Sequence, residues 1–273
     1  MIEHFRAFSF VDRIHTDEVG KKISGSYHVP ETISDFPLSL VSESIGQCAA
    51  MSSMKAVDFQ FRPVAGIAGA VEFLGQVNPG DTLELEATLM KADEEAVEYD
   101  GVARINGDAV VQLRDCLGPM VPMEDFDDPA AVQSRYELLI GEGAEPDAFP
   151  GVEEFSFEVT ELQPATSASG AFQIPETAIF FGDHFPRNPV FPGTLLMNLN
   201  LRFVEKLAET LEGGSWVAKG MSNVKLRAFM PPGEHLSLSA EVEEIEGDKA
   251  TILVQSRRGK RVNSNARVLL EKK

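Results

Sequence analysis

His184 stands in the segment Gly182-Asp-His-Phe-Pro-Arg-Asn-Pro-Val-Phe-Pro-Gly193. A neutral imidazole is a base near pH 7, so a histidine held in such a loop can remove a proton from a bound substrate. Glu43 lies among Val41, Ile45 and small residues. In that setting burial raises a carboxyl pKa and keeps a proton on it, which makes it a general acid. Gly193 follows Pro192 where a helix should begin. Backbone N–H groups there have no helical partner and lie at the positive end of the helix dipole. The Gly193 N–H is therefore a candidate donor to an oxyanion, and glycine leaves room for close approach. His28 falls in a strand opposite Gln173, and His4, His15 and His235 have no partner pattern.

The elements that must hold these groups come in two copies. Gly25-Ser-Tyr-His-Val-Pro-Glu-Thr32 matches Gly170-Ala-Phe-Gln-Ile-Pro-Glu-Thr177. Phe36-Pro37 matches Phe191-Pro192, and Asn78-Pro-Gly-Asp81 with its following strand matches Pro231-Pro-Gly-Glu234. Three matches in one order argue for a duplication. Each copy reads as a first strand (Phe8–Ile14; Phe155–Val159), a second strand ending at the shared Pro-Glu-Thr, one long helix, and alternating strands. The helices are expected over about Ser39–Met54 and Thr194–Glu212, with Ser39 and Thr194 as caps and Gly213-Gly214 as a stop. Leu83–Leu89 and Leu236–Val242 alternate as half-buried antiparallel strands do. The class is α+β, repeated. The boundaries read as a first unit at 1–124, an acidic connection at 125–151 with a short helix around Ala130–Leu139, and a second unit at 152–273.

The copies differ where chemistry would sit. The second carries the inserted loop Ala178–Val190, which the first replaces with Ile33-Ser-Asp35. Aligned from Phe-Pro, Glu43 falls opposite Asn198, and Gln47 opposite Arg202.

His184, Phe185, Pro186, Pro189, Pro192 and Gly193 resemble the active-site segment of the 3-hydroxyacyl-[acyl-carrier-protein] dehydratases of the FabA/FabZ type. Phe10-Val-Asp-Arg-Ile14, Ala65-Gly-Ile67 and Pro79-Gly-Asp81 also look like this family. The resemblance implies the hotdog fold, here as a tandem double hotdog. It implies a dimer-like site with the histidine from one unit and the acid from the helix of the other. That acid position is Glu43, and Gln47 matches the glutamine one turn later. It also implies that Gly193, Gln47 and Phe185 contact the substrate. The first copy has kept the acid and lost the His loop, while the second has the reverse. One composite site of His184 with Glu43 is therefore expected, and the reciprocal site has neither group. In a 3-hydroxyacyl thioester, His184 would take the Cα proton and Glu43 would protonate the departing C3 hydroxyl.

No cofactor is expected beyond the carrier of the acyl group, the phosphopantetheine of an acyl carrier protein or CoA. No metal is expected, because His28, Glu31 and Glu43 lack ligand spacing. Cys48 and Cys116 lie far apart beside apolar residues and read as buried thiols. The net charge of −19 argues against nucleic acid as a partner. The charge is uneven, at −11 over 1–124, −6 over 125–151 and −2 over 152–273. An acidic carrier would thus need a local basic patch, for which Arg187, Arg202, Lys225 and Arg227 are the candidates. No apolar run reaches membrane-span length and the first residues lack a signal-peptide pattern, so a cytoplasmic location is expected. Alternative readings are an enoyl isomerase, a thioesterase, and a non-catalytic acyl-binding or scaffolding subunit; whether two chains pair into a homodimer is open.

Overall fold

A computed structural model describes residues 4–273. Among them, the first half forms β1 (Arg13–Glu18), β2 (Lys22–His28), α1 (Leu38–Ala56), β3 (Phe61–Pro63), β4 (Ile67–Phe73), β5 (Thr82–Ala92), β6 (Ala96–Ile105) and β7 (Asp108–Pro122). Helix α2 (Pro129–Ile140) follows. The second half forms β8 (Glu158–Gln163), β9 (Ser167–Gln173), α3 (Gly193–Ala208), β10 (Trp216–Leu226), β11 (His235–Glu246), β12 (Lys249–Arg258) and β13 (Arg261–Lys272).

The described strands make one 13-stranded sheet in the order β1-β2-β5-β6-β7-β4-β10-β13-β12-β11-β9-β8, with β3 beside β7. The order from β1 to β4 is repeated, reversed, from β10 to β8. Such a pattern is what an internal two-fold at the β4–β10 seam produces. The seam is antiparallel, with Val71 opposite Met221. Each half wraps one long helix, and the two helices meet each other. This is the tandem double hotdog expected from the repeat.

Alternation explains which face is inside. In β5, Leu83, Leu85, Ala87 and Leu89 are buried, and in β11 Leu236, Leu238 and Ala240 are. The polar residues between them face outward, as a sheet with one covered side requires. The repeated Pro-Gly turns before these strands place Gly80 at φ 90 and Gly233 at φ 77. Glycine adopts that left-handed backbone without a Cβ clash.

Three local expectations are corrected. The stretches around Phe8 and Phe155 are not strands; the first strands start at Arg13 and Glu158. Phe8 and Phe10 are instead buried loop residues of the core. Neither Ser39 nor Thr194 caps its helix: Pro37 and Pro192 hold the cap positions, with no side-chain cap bond. Proline just ahead of the first turn sacrifices an N–H that had no partner there. Helix α3 stops at Ala208, short of Gly213-Gly214. The short helix expected around Ala130–Leu139 is present as α2, and the acidic stretch around it packs on the core, with Phe126, Val132, Tyr136, Leu139 and Phe149 buried. Asp128 caps α2 by accepting from the Ala130 N–H at 3.0 Å.

Candidate active site

A cavity of about 250 Å³ lies between the two units, and His184, Glu43, Gly193, Gln47 and Phe185 all line it. Thus the structure brings together, across the seam, the two groups that the copies had divided between them. Both His184 and Glu43 are partly accessible; the surface they keep faces this cavity.

The His loop is fixed by its own backbone. A short 3-10 turn (Ile179–Gly182) leads into it. The His184 N–H donates to the Phe180 carbonyl at 2.8 Å, and the Val190 N–H donates to the His184 carbonyl at 3.0 Å. The His184–Phe185 peptide is cis. The imidazole Nδ1 lies 2.9 Å from the Val190 carbonyl oxygen. A carbonyl only accepts, so Nδ1 carries the proton and Nε2 keeps a free lone pair. Burial pushes the His184 pKa down to about 4, and the nearby Arg62 charge adds to the effect, against the bond to Val190. The ring is therefore neutral at pH 7, the form a base must have.

The rings around it come from both units. Phe185 stacks on the imidazole at 4.0 Å between centroids, and Phe8 meets it edge-on at 5.5 Å. Asp183, one residue before the histidine, accepts from the Phe5 and Phe8 N–H groups at 2.7 Å each. Those two bonds tie the first unit's leading segment to the second unit's His loop.

On the other side, Glu43 projects from α1 one turn before Gln47. The Gln47 amide is oriented by its neighbours. Its Oε1 accepts from the Phe10 N–H at 2.8 Å, so its Nε2 must donate to the Phe8 carbonyl at 3.1 Å and to Glu43 Oε1 at 3.0 Å. Thr194, on α3, donates to Glu43 Oε2 at 2.8 Å. Burial raises the Glu43 pKa, while the Thr194 and Gln47 bonds and the Arg62 charge oppose that rise. Gln47 therefore contacts the acid directly, beyond the substrate contact expected of it.

Gly193 opens α3, and a Cβ built on it would lie 2.3 Å from Leu226 Cδ1. No side chain fits there without moving Leu226. Its N–H belongs to the first turn, where no helical carbonyl is in reach. It can donate to a carbonyl oxygen lying over the helix end.

Three further groups at the site were not expected there from the sequence, where Thr194 was read only as a helix cap. Arg62, on β3, lines the cavity. Its Nη1 pairs with the buried Asp127 at 3.2 Å, and its guanidinium lies 3.7 Å over the Phe185 ring. Burial lowers its pKa to about 10, which leaves it charged at neutral pH. Asp183 and Thr194 are the other two. Asp183 and Thr194 sit inside or beside the His-loop motif, so position alone pointed at them. Arg62, in Phe61-Arg-Pro63, carried no such signal.

The basic candidates separate. Ile67 and Phe229, both cavity residues, are 43% and 42% exposed and mark its opening. Lys225 and Arg227 are exposed and flank the cavity residue Leu226. Arg187 is exposed, and its Nη1 donates to the Glu124 carbonyl while its N–H donates to the Phe126 carbonyl at 3.0 Å. The Phe126 ring is 5.2 Å from that of Phe229, which places Arg187 near the same opening. Arg202 is a correction. It does not line the cavity, and instead donates to the Phe155 carbonyl at 2.9 Å and pairs with Glu154. The bond to Phe155 repeats, in the second unit, the bond of Gln47 to Phe8. His28 is away from the site, against Thr82 at 3.2 Å and Asp147 at 3.7 Å.

Among the described residues, no group of His, Cys, Asp and Glu is placed to hold a metal ion. No helix among them is long and apolar enough to cross a membrane.

Comparison with known proteins matches residues 160–265 to the ApeI-like family, described as ApeI dehydratase. A curated 3-hydroxyacyl-[acyl-carrier-protein] dehydratase FabZ of Clostridium botulinum (strain Okra / Type B1) is 34% identical over 94 residues, covering 33% of this chain. This chain spans 65% of that relative's length. Among solved structures, a MaoC-like dehydratase superimposes with a TM-score of 0.55 at 11% identity, over 93% of this chain and 98% of that one. An acyl-CoA thioesterase II, TesB2, of Mycobacterium marinum gives 0.54 at 10% identity, over 95% of both chains. At such identities the likeness is one of fold alone, and that fold is the hotdog.

Proposed function

We propose, with the relation to FabZ-type hotdog dehydratases as premise, that this chain dehydrates 3-hydroxyacyl thioesters to trans-2-enoyl thioesters at one composite site. The observation that carries this reading is the facing of His184 and Glu43 across one cavity, each with its pKa moved toward the protonation state its role needs. His184 Nε2 takes the Cα proton. Negative charge then develops on the thioester oxygen, which accepts from the Gly193 N–H at the positive end of α3. Protonated Glu43 gives its proton to the C3 hydroxyl, which leaves as water. Gln47 and Thr194 hold the carboxyl in place throughout. The acyl group arrives on the phosphopantetheine of an acyl carrier protein or on CoA, and no other cofactor takes part.

Incubation with a 3-hydroxybutyryl thioester tests the reaction. Gain of enoyl absorbance with the thioester intact supports it. Release of free thiol without enoyl product would make the chain a thioesterase, and binding without turnover would make it a carrier of acyl groups.

The pH dependence follows from the two pKa shifts. Activity in kcat/KM should fall on the acid side as His184 takes a proton, near pH 4 in the free protein. It should fall on the alkaline side as Glu43 loses its proton, above the ordinary carboxylate range. Thr194→Val removes a bond that favours the carboxylate, so it should move the alkaline limb to higher pH and leave the acid limb in place. An unmoved alkaline limb would take Glu43 out of the proton transfer.

Carrier docking is the proposed role of the basic groups at the opening, Arg187, Lys225 and Arg227. An acidic carrier would meet a chain of net charge −19, so local positive charge must guide it. Arg187→Glu should raise the apparent KM for carrier-linked substrate far more than for a short thioester, and less so in high salt, because rim charges act mainly on association. Equal effects on both substrates at every salt concentration would make Arg187 a structural part of the loop.

A further inference from the structure

The second unit is polar in one part of its core where the first unit is apolar. The Leu74 N–H donates to the Val110 carbonyl, and the Arg227 N–H donates to the Asn263 carbonyl. Asn263 therefore stands where the first unit has Val110, and Ser264 where it has Val111. Val111 pairs with Ala103 across the strands, and Ser264 pairs with Ser256. On the helices Glu43 corresponds to Asn198, so Ile45 corresponds to Asn200. Four apolar positions of one unit are thus Asn200, Ser256, Asn263 and Ser264 in the other. Those four are 3%, 0%, 1% and 2% exposed.

The two serines satisfy each other at 2.7 Å. The asparagines do not share in this. Among the described residues, Asn200 Oδ1 has no hydrogen-bond partner, and neither polar atom of the Asn263 side chain has one. Leaving a buried polar group unpaired is unfavourable, because it gives up its bonds to water and gains none in return. The fold does not demand this cost, since its own first unit fills the same places with isoleucine and valine. Asn200 and Ser264 both line the cavity. The Asn200 amide is therefore placed to bond to something that enters it.

The position fits the acyl chain. Asn200 lies six residues beyond Thr194 on α3, roughly 9 Å farther along the helix axis at 1.5 Å per residue. Thr194 bonds Glu43, which marks the reacting end. Asn200 is almost wholly buried, so its partner must be a deeply inserted part of the substrate.

We infer that Asn200, which lines the cavity as Ser264 does, is a specificity determinant whose Oδ1 accepts a hydrogen bond from a hydroxyl on the acyl chain beyond C3. The substrate class is then 3-hydroxyacyl thioesters that carry a further hydroxyl along the chain, since an amide oxygen needs a donor. This rests on the thioester reading of the site and goes beyond it by naming the kind of chain. A site built to bond a substrate oxygen discriminates against the analogue that lacks it.

Calorimetric titration with saturated acyl-pantetheine thioesters tests this without turnover. The set is matched in length, lacks the C3 hydroxyl, and either lacks or carries one hydroxyl at successive mid-chain positions. The wild-type chain should bind one hydroxylated member about tenfold tighter than the plain chain, as one well-made bond of about 1.4 kcal/mol provides. Asn200→Ile should remove that preference while holding or improving affinity for the plain chain. Ser264→Val and Asn200→Ala carry the same test if Asn200→Ile does not fold. No preference in the wild type would overturn the inference, and would leave an ordered water as the partner of Asn200. So would equal weakening of every chain and of free pantetheine by Asn200→Ile, which would assign the residue to the carrier arm. The dehydratase reading fails separately, by absence of enoyl product from 3-hydroxyacyl thioesters while binding and its preference persist.

Discussion

His184→Ala is expected to reduce dehydration by on the order of 10² to 10⁴, with thermal stability close to that of the wild type. The loss is chemical. The variant removes Nε2, the lone pair that faces the cavity. Stability is spared because the loop keeps its backbone bonds from His184 N–H to Phe180 and from Val190 N–H to the His184 carbonyl. The Asp183 bonds to the Phe5 and Phe8 N–H groups also remain. His184→Asn refines the comparison, because its amide can still donate toward the Val190 carbonyl while offering no base. Equal inactivity of both variants, with melting temperatures near the wild type, fits proton abstraction. Recovery of most activity in His184→Asn would show that the ring only braces the loop.

Glu43→Gln should be comparably severe. The amide preserves length and shape, and Thr194 can turn its hydroxyl to accept where it formerly donated. What the amide cannot do is deliver a proton to the departing hydroxyl. A fall of about 10² to 10⁴ in kcat, with smaller change in binding of an unreactive thioester, is the expected split. The double variant His184→Ala with Glu43→Gln should be little worse than either single one, because groups that act in one step lose their effects together. His28→Ala serves as the control and should leave the rate near wild type. Damage from His28→Ala equal to that from the other two would point to lost folding instead of lost chemistry.

Much of this site was legible in residues that lie close together in the chain. The His loop carries its own signature, and the resemblance to the dehydratases implied which helix position of the other copy supplies the acid. Local chemistry of this kind survives reading in one dimension. The failures have a common cause in contacts between distant segments. Ser39 and Thr194 have the residue type and place of caps, but prolines before them set the helix starts, and Thr194 is drawn to a carboxylate on the other unit. Phe8 and Phe10 alternate as strand residues do, yet their backbone groups are claimed by Gln47 and Asp183. Arg202 looked like a rim charge because charge is visible and its partners, Glu154 and the Phe155 carbonyl, are not. Arg62 gave no sign at all; only the fold places Phe61–Pro63 beside β7, with Arg62 over Phe185. The polar core of the second unit was missed for the same reason. Asn200, Asn263 and Ser264 look unremarkable until the two units are laid over each other.

The central claim is that one composite site acts and its mirror image does not. Hydration of a crotonyl thioester, followed by loss of enoyl absorbance, measures it most directly across four variants beside the wild type. His184→Ala and Glu43→Gln disable the composite site, while Asn198→Ala and Arg202→Gln alter the reciprocal cleft. The predicted result is near-complete loss in the first pair and rates near wild type in the second pair. Loss of activity in Asn198→Ala or Arg202→Gln, with His184→Ala still active, would contradict it.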